Sequence, residues 1–248
     1  MTHFPFELTD PIGTAATLGL IVLKFDETLE QDFRRLFPAR DVALYVSRLP
    51  SDPDVTPDTL RAMETDLPAA AALFPPAAPF DAVGYGCTSG TTMIGAGQVA
   101  DLVRKGAGDT AVTDPLTASL AACKALDLST LGMVTPYIDS VSEPVRNAFQ
   151  SAGIAVPYIV SFGEAGEERV ARIDAASIRA AALDVGRSDQ VQGVFLSCTN
   201  LRTLDVIDDI EQTLGKPVLS SNLSLVWHMA QLSGAPMAPD APGAINRP

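Results

Sequence analysis

A chain of 248 residues with 47% hydrophobic side chains can bury a substantial core, as one domain or two similar lobes, and its mean hydropathy of +0.20 excludes disorder. A formal net charge of −13 and a pI near 4.4 exclude nucleic-acid binding through phosphates, which needs a basic patch. No uninterrupted apolar run approaches the roughly 20 residues of a membrane helix, and Met1-Thr2-His3-Phe4-Pro5-Phe6-Glu7 lacks the charged-then-apolar pattern of a secretory signal, so a cytoplasmic protein with no membrane contact is expected.

In chain order, Ala16–Leu23 reads as a buried strand, followed by the loop Lys24-Phe25-Asp26-Glu27-Thr28 and a helix over Leu29–Leu36. Val42–Val46 is a second strand. Thr56-Pro57-Asp58 supplies an N-cap and a first-turn proline, which predicts one helix running to about Leu73, where Pro75-Pro76 stops it. A strand over Ala82–Tyr85 leads to Cys87, with a helix over Thr91–Ala100, a short strand at Ala111–Thr113 and an Ala-rich helix over Pro115–Leu126.

A second series opens with a strand at Leu131–Val134, then Thr135-Pro136-Tyr137, a helix over Asp139–Ala152 stopped by Gly153, and a strand at Val156–Ser161. Glu164–Ile173 reads as a loop entering a helix, and Ala175–Val185 as a helix closed by Gly186. Val194–Leu196 leads to Cys198, Leu204–Leu214 is helical, Pro217–Asn222 is a strand and loop, and Leu223–Leu232 is the last main helix. From Gly234 the chain is Pro/Ala/Gly-rich, a surface strap or a poorly ordered tail.

Alternating strands and helices imply parallel sheets covered on both faces. The expected fold is α/β with two Rossmann-like lobes related by a pseudo-twofold and a site in the cleft between them. Residues 16–114 would form the first lobe, with 220–234 packing back on it, and 115–219 the second, leaving 235–248 as the tail.

Chemistry concentrates at two echoing stretches, Gly84-Tyr85-Gly86-Cys87-Thr88-Ser89-Gly90 and Leu196-Ser197-Cys198-Thr199-Asn200. Each places a thiol at the carboxyl end of a buried strand, where open α/β sheets put ligand sites. Each is also expected to sit at a helix N-terminus, whose N–H groups favour thiolate. The third cysteine, Cys123, reads as a small buried hydrophobe. His3 and His228 are the only histidines, no metal-ligand spacing occurs, and neither Gly-x-Gly-x-x-Gly nor a P-loop is present. Neither a metal nor a cofactor is expected.

These two motifs, with Thr135-Pro136-Tyr137 and Pro217-Val218-Leu219-Ser220-Ser221-Asn222, resemble the aspartate/glutamate racemase superfamily, and within it the maleate cis-trans isomerase and arylmalonate decarboxylase group. The resemblance implies cofactor-independent chemistry beside a small substrate's carboxylate, and assembly into dimers or tetramers. It implies Cys87 and Cys198 as the catalytic pair, and the presence of Cys87 disfavours plain decarboxylation. Tyr137 would contact substrate, and Thr88, Ser89, Thr199 and Asn200 would hold its carboxylate. One departure matters: Asp26 stands where maleate isomerases resemble an asparagine, and Glu167 or Glu168 falls near a second. Carboxylates there repel a dianion and favour an ammonium group, and Asp-Glu-Thr-Leu-Glu resembles the racemase-like proteins of ectoine-utilisation clusters.

The expected reaction is stereoinversion at Cα, one cysteine removing a proton and the other returning one to the opposite face. The alternatives are a maleate-type isomerase acting through a covalent Cys87 adduct and a non-catalytic small-molecule binder. Asp26 also reads as a helix cap, Glu167 and Glu168 as first-turn carboxylates, Asn222 as a cap or site floor, Asp114 as a capping or site-edge residue, and His228 as structural.

Overall fold

In the computed structural model, which describes residue 1 and residues 3–247, the first lobe is built from β1 (Ala16–Leu23), α1 (Leu29–Leu36), β2 (Val42–Leu49), α2 (Pro57–Ala62), α3 (Leu67–Ala71), β3 (Ala82–Gly86), α4 (Thr88–Ile94), α5 (Ala96–Ala107) and β4 (Ala111–Thr113). Next come α6 (Pro115–Ala125), β5 (Thr130–Thr135), α7 (Asp139–Ser151), β6 (Ala155–Ser161), α8 (Glu167–Val170), α9 (Ala175–Gly186), β7 (Gly193–Leu196), α10 (Ile207–Leu214), β8 (Val218–Ser220) and α11 (Ser221–Ser233). All eight residues of β1 are buried, as a central parallel strand covered on both faces requires.

Two four-stranded parallel sheets result, in the order β2-β1-β3-β4 and β6-β5-β7-β8. The orders superpose strand for strand, so the third strand of each lobe, β3 and β7, delivers one of the two cysteines. Helix α11 leaves the second sheet and packs back against β1, β3, β4 and α6. One cluster of buried apolar side chains runs through both lobes. Among the described residues no helix is long and apolar enough to cross a membrane.

Two expectations change, and one open alternative is decided. The helix predicted to reach Leu73 is two short ones, because Pro68 lies in the first turn of α3 and a continuous helix would lose a hydrogen bond there. The helix predicted from Thr91 starts at Thr88, capped by Cys87, and breaks at Gly95, whose φ of 97° suits glycine. The tail is a strap: Ala238 N–H donates to the Leu36 carbonyl in the first lobe at 2.8 Å, Gly243 N–H to Asp208 in α10 at 2.9 Å, and Arg247 pairs with Glu211 at 3.2 Å.

Candidate active site

Strand β3 ends in glycine for a steric reason. A Cβ on Gly86 would fall 2.2 Å from Leu29 Cδ2, so only glycine lets the start of α1 close over the strand end. The next residue, Cys87, caps α4 with its sulfur, which accepts from Gly90 N–H at 3.1 Å and lies 3.7 Å from Ser89 Oγ. The N–H groups of Thr88 and Ser89, in the first turn of α4, have no intrahelical acceptor. Burial pushes the Cys87 thiol up to about 12, outweighing the Gly90 N–H that lowers it, and the Glu167 carboxylate adds to the rise. The expected lowering of this thiol by its helix is therefore reversed in the closed site, because desolvation exceeds one hydrogen bond.

Cys198 is different. It does not open a helix; a turn at Thr199 and Asn200 follows, and helical structure resumes only at Leu204. Its φ is 90°, a left-handed conformation for a non-glycine residue, which costs on the order of 1–3 kcal/mol and is typical of functional sites. That twist lets Asn200 N–H donate to Cys198 Sγ at 3.4 Å, while Cys198 N–H donates to Ser221 Oγ at 3.0 Å. Ser221 Oγ also pairs with Thr88 Oγ1 at 2.8 Å, so the first residue of α11 joins the two Cys-Thr junctions. Thr199 Oγ1 donates to the Gly86 carbonyl at 3.2 Å, a second link between the lobes. Burial, then Glu167, raises the Cys198 thiol well above the ordinary thiol range, against hydrogen bonds from Tyr137 and the Asn200 N–H.

The remaining predicted residues converge on these sulfurs. Tyr137, from the loop after β5, is buried beside Cys198. Asp26, from the matching loop after β1, uses Oδ1 to accept from Thr28 and Leu29 N–H, each at 2.8 Å, which caps α1. Its Oδ2 is buried without a hydrogen-bond partner, and desolvation pushes its carboxyl above the usual carboxylate range. Asn200 is fully engaged: its Oδ1 accepts from Glu27 N–H at 2.8 Å, and its Nδ2 donates to Glu167 Oε2 at 2.9 Å and to the Phe25 carbonyl at 3.3 Å. Its side chain thus ties the lobes and orients Glu167. Burial lifts Glu167 to about 7, with the Asn200 bond lowering it and Asp26 raising it.

Tyr85, Ser221 and Asp32 were not singled out from the sequence. Tyr85 and Ser221 sit inside the quoted motifs, and Tyr85 shares the pleat face of Cys87 two residues on, a spacing that could have marked it. Asp32 lies on α1, where nothing in the sequence separates it from an exposed helix carboxylate. It accepts from Asn222 Nδ2 at 2.7 Å and is lifted to about 6 by burial. Asp114 caps α6 through Thr117 N–H at 2.9 Å, and His228 Nδ1 bonds Thr113 Oγ1 at 2.8 Å, both structural roles. Cys123 is buried in the core. Among the described residues no group of three or more His, Cys, Asp or Glu is arranged to hold a metal.

The chain is similar to known proteins in sequence and fold. The chain is 32% identical over 119 residues to arylmalonate decarboxylase of Bordetella bronchiseptica, a match covering 48% of this chain and half of that protein. It is 23% identical over 240 residues to maleate isomerase of Nocardia farcinica (strain IFM 10152), covering 93% of this chain and 95% of that one. The fold matches the Nocardia farcinica maleate cis-trans isomerase solved as a cysteine-to-serine mutant with a covalently bound succinylcysteine intermediate, with a TM-score of 0.82 at 22% identity over 94% of this chain and 98% of that one. The family model described as arylmalonate decarboxylase (Amdase) matches residues 98–245, more than half of the sequence, and the chain belongs to that family.

Proposed function

We propose that this protein is a cofactor-independent two-cysteine enzyme, a racemase or isomerase acting at the α-carbon of a small amino-acid-like carboxylate. One observation carries the reading: thiols at the ends of equivalent strands of two lobes are both buried and both face Tyr137 and the raised carboxyl of Glu167, with an unpartnered Asp26 oxygen nearby. Family membership supports the cysteine chemistry and the isomerase class. As thiolate, one cysteine takes the Cα proton; as thiol, the other gives its proton to the opposite face, and the two exchange protonation states in each turnover. The N–H groups of Thr88 and Ser89 would stabilise the enolate-like carboxylate. A substrate ammonium beside Asp26 and Glu167 would keep both ionised and, by its charge, favour the thiolate that burial opposes.

The Asp26-Glu27-Thr28-Leu29-Glu30 stretch supports a place near the ectoine-utilisation branch, with a diaminobutyrate-type acid as substrate. Exposed Phe4, Phe6, Leu8 and Ile12 on the N-terminal arm support assembly into a homo-oligomer. The Nocardia isomerase favours the second reading, cis-trans isomerisation of maleate through addition of Cys87 to the alkene. The test is turnover of aspartate, glutamate, diaminobutyrate, its N-acetyl forms and maleate, followed by chiral chromatography for wild type and Asp26→Asn. Inversion of an amino-bearing acid is expected, and Asp26→Asn, which keeps the cap, should slow it at least about tenfold by loss of a charge-assisted contact. Preferred conversion of maleate to fumarate by the wild type would install the second reading, and ligand binding without turnover would make the protein a binder.

A further inference from the structure

We infer that Tyr85 is a positioning residue that supports the thiolate of Cys87, its hydroxyl being aimed at the sulfur from inside the first lobe. Tyr85 has 0% of its surface exposed, and the hydrogen bond its hydroxyl makes is to Met63 Sδ at 4.0 Å. A thioether is a weak acceptor, so this buried O–H lacks the partner such a group needs. Tyr85 and Cys87 are two apart at a strand end, which turns both side chains to one face of the sheet. A Cβ on Gly90 would lie 2.5 Å from the Tyr85 hydroxyl and 2.9 Å from Cys87 Sγ, so the two groups crowd the same bare Cα. Gly90 does two jobs: its N–H donates to the sulfur, and its missing side chain leaves room for the phenol beside it.

Gly90 N–H and Ser89 Oγ already reach Cys87 Sγ, and the Tyr85 hydroxyl, packed beside the same Gly90, would turn from Met63 to become a third neutral donor once the sulfur is charged. The charged group facing the sulfur is Glu167 from α8, which opposes thiolate, while Tyr137 faces it from the loop after β5 and Asp114 at the start of α6 faces Tyr85. Donors without charge must therefore do the stabilising. A phenol donates far more strongly to a thiolate than to a thiol, so the contact is worth most when Cys87 has lost its proton. The inference rests on Cys87 as a reacting group, but its test reads the sulfur without substrate, so the two can fail separately.

The experiment is a pH titration of the cysteine Cβ resonance in [3-13C]cysteine-labelled protein carrying Cys123→Ser and Cys198→Ser, with and without Tyr85→Phe. Tyr85→Phe should raise the Cys87 midpoint by about one pH unit, which is about tenfold less thiolate at a fixed pH. Met63→Leu, which removes the thioether and leaves the phenol, should not move it. 3-Fluorotyrosine at position 85, a stronger donor of nearly the same shape, should lower it, and this variant serves if Tyr85→Phe does not fold. Coincident titrations with and without the hydroxyl, or an equal shift from Met63→Leu, would each overturn the inference.

Discussion

Glu167 is held near 7 because it is buried with one hydrogen bond from Asn200 and a second carboxyl, Asp26, nearby. Its stability linkage has a definite sign. A carboxyl whose folded value is raised above its unfolded value stabilises the fold fully below about 4.5, and that contribution is lost as pH rises through about 7. The shift corresponds to on the order of 3 kcal/mol, and Asp32, lifted to about 6, acts in the same direction over a lower window. Thermal melts of the wild type should therefore fall between pH 5 and 7.5, and Glu167→Gln should flatten that slope. A steeper slope in Glu167→Gln would show that the carboxyl is ionised at low cost in the folded protein. At this scale the sequence was informative about identity and silent about geometry. Asp26 read equally as a ligand and as a cap, and one carboxylate does the capping with Oδ1 while leaving Oδ2 unpaired.

The start of α11 is the element on which both cysteine junctions depend. Ser221 Oγ receives the Cys198 N–H and pairs with Thr88 Oγ1, holding a left-handed Cys198 against the start of α4. Ser221→Ala leaves a buried N–H without an acceptor, so it should cost about 1–3 kcal/mol in urea denaturation. Relaxation of Cys198 should also lower kcat more than it raises KM, and Ser221→Thr should restore much of both. Unchanged kcat in Ser221→Ala would separate the Cys198 geometry from catalysis. Buried runs such as Ala16–Leu23 were legible because a parallel strand covered on both faces is apolar throughout. The break between α2 and α3 was not read, because the apolar spacing from Leu60 to Leu73 continues through Pro68. Nor was the turn after Cys198: Thr-Asn-Leu suits a helix start, and only the tertiary bonds of Asn200 to Glu27 and Glu167 bend it away.

At the scale of the molecule, a repeated strand order is what turns two motifs into one site. β3 and β7 occupy the same place in matching sheets and point their cysteines inward, while β1 and β5 supply Asp26 and Tyr137 from equivalent loops. Asn200, the Thr199 bond to Gly86 and the strap from Ala235 onward fasten the lobes around that site. The paired Cys-Thr motifs made this duplication visible in the sequence, whereas the strap stayed one of two readings because its Pro/Ala/Gly composition suits a free tail equally well. The most direct test of two-thiol proton transfer is solvent deuterium exchange, followed by NMR in D₂O with the substrate that the turnover panel identifies. Deuterium should enter Cα during inversion by the wild type, and inversion should fall at least about a thousandfold in both Cys87→Ser and Cys198→Ser, as expected when an acid/base partner is lost. Inversion without deuterium at Cα, or full activity in either single variant, would contradict a proton passed between these two cysteines.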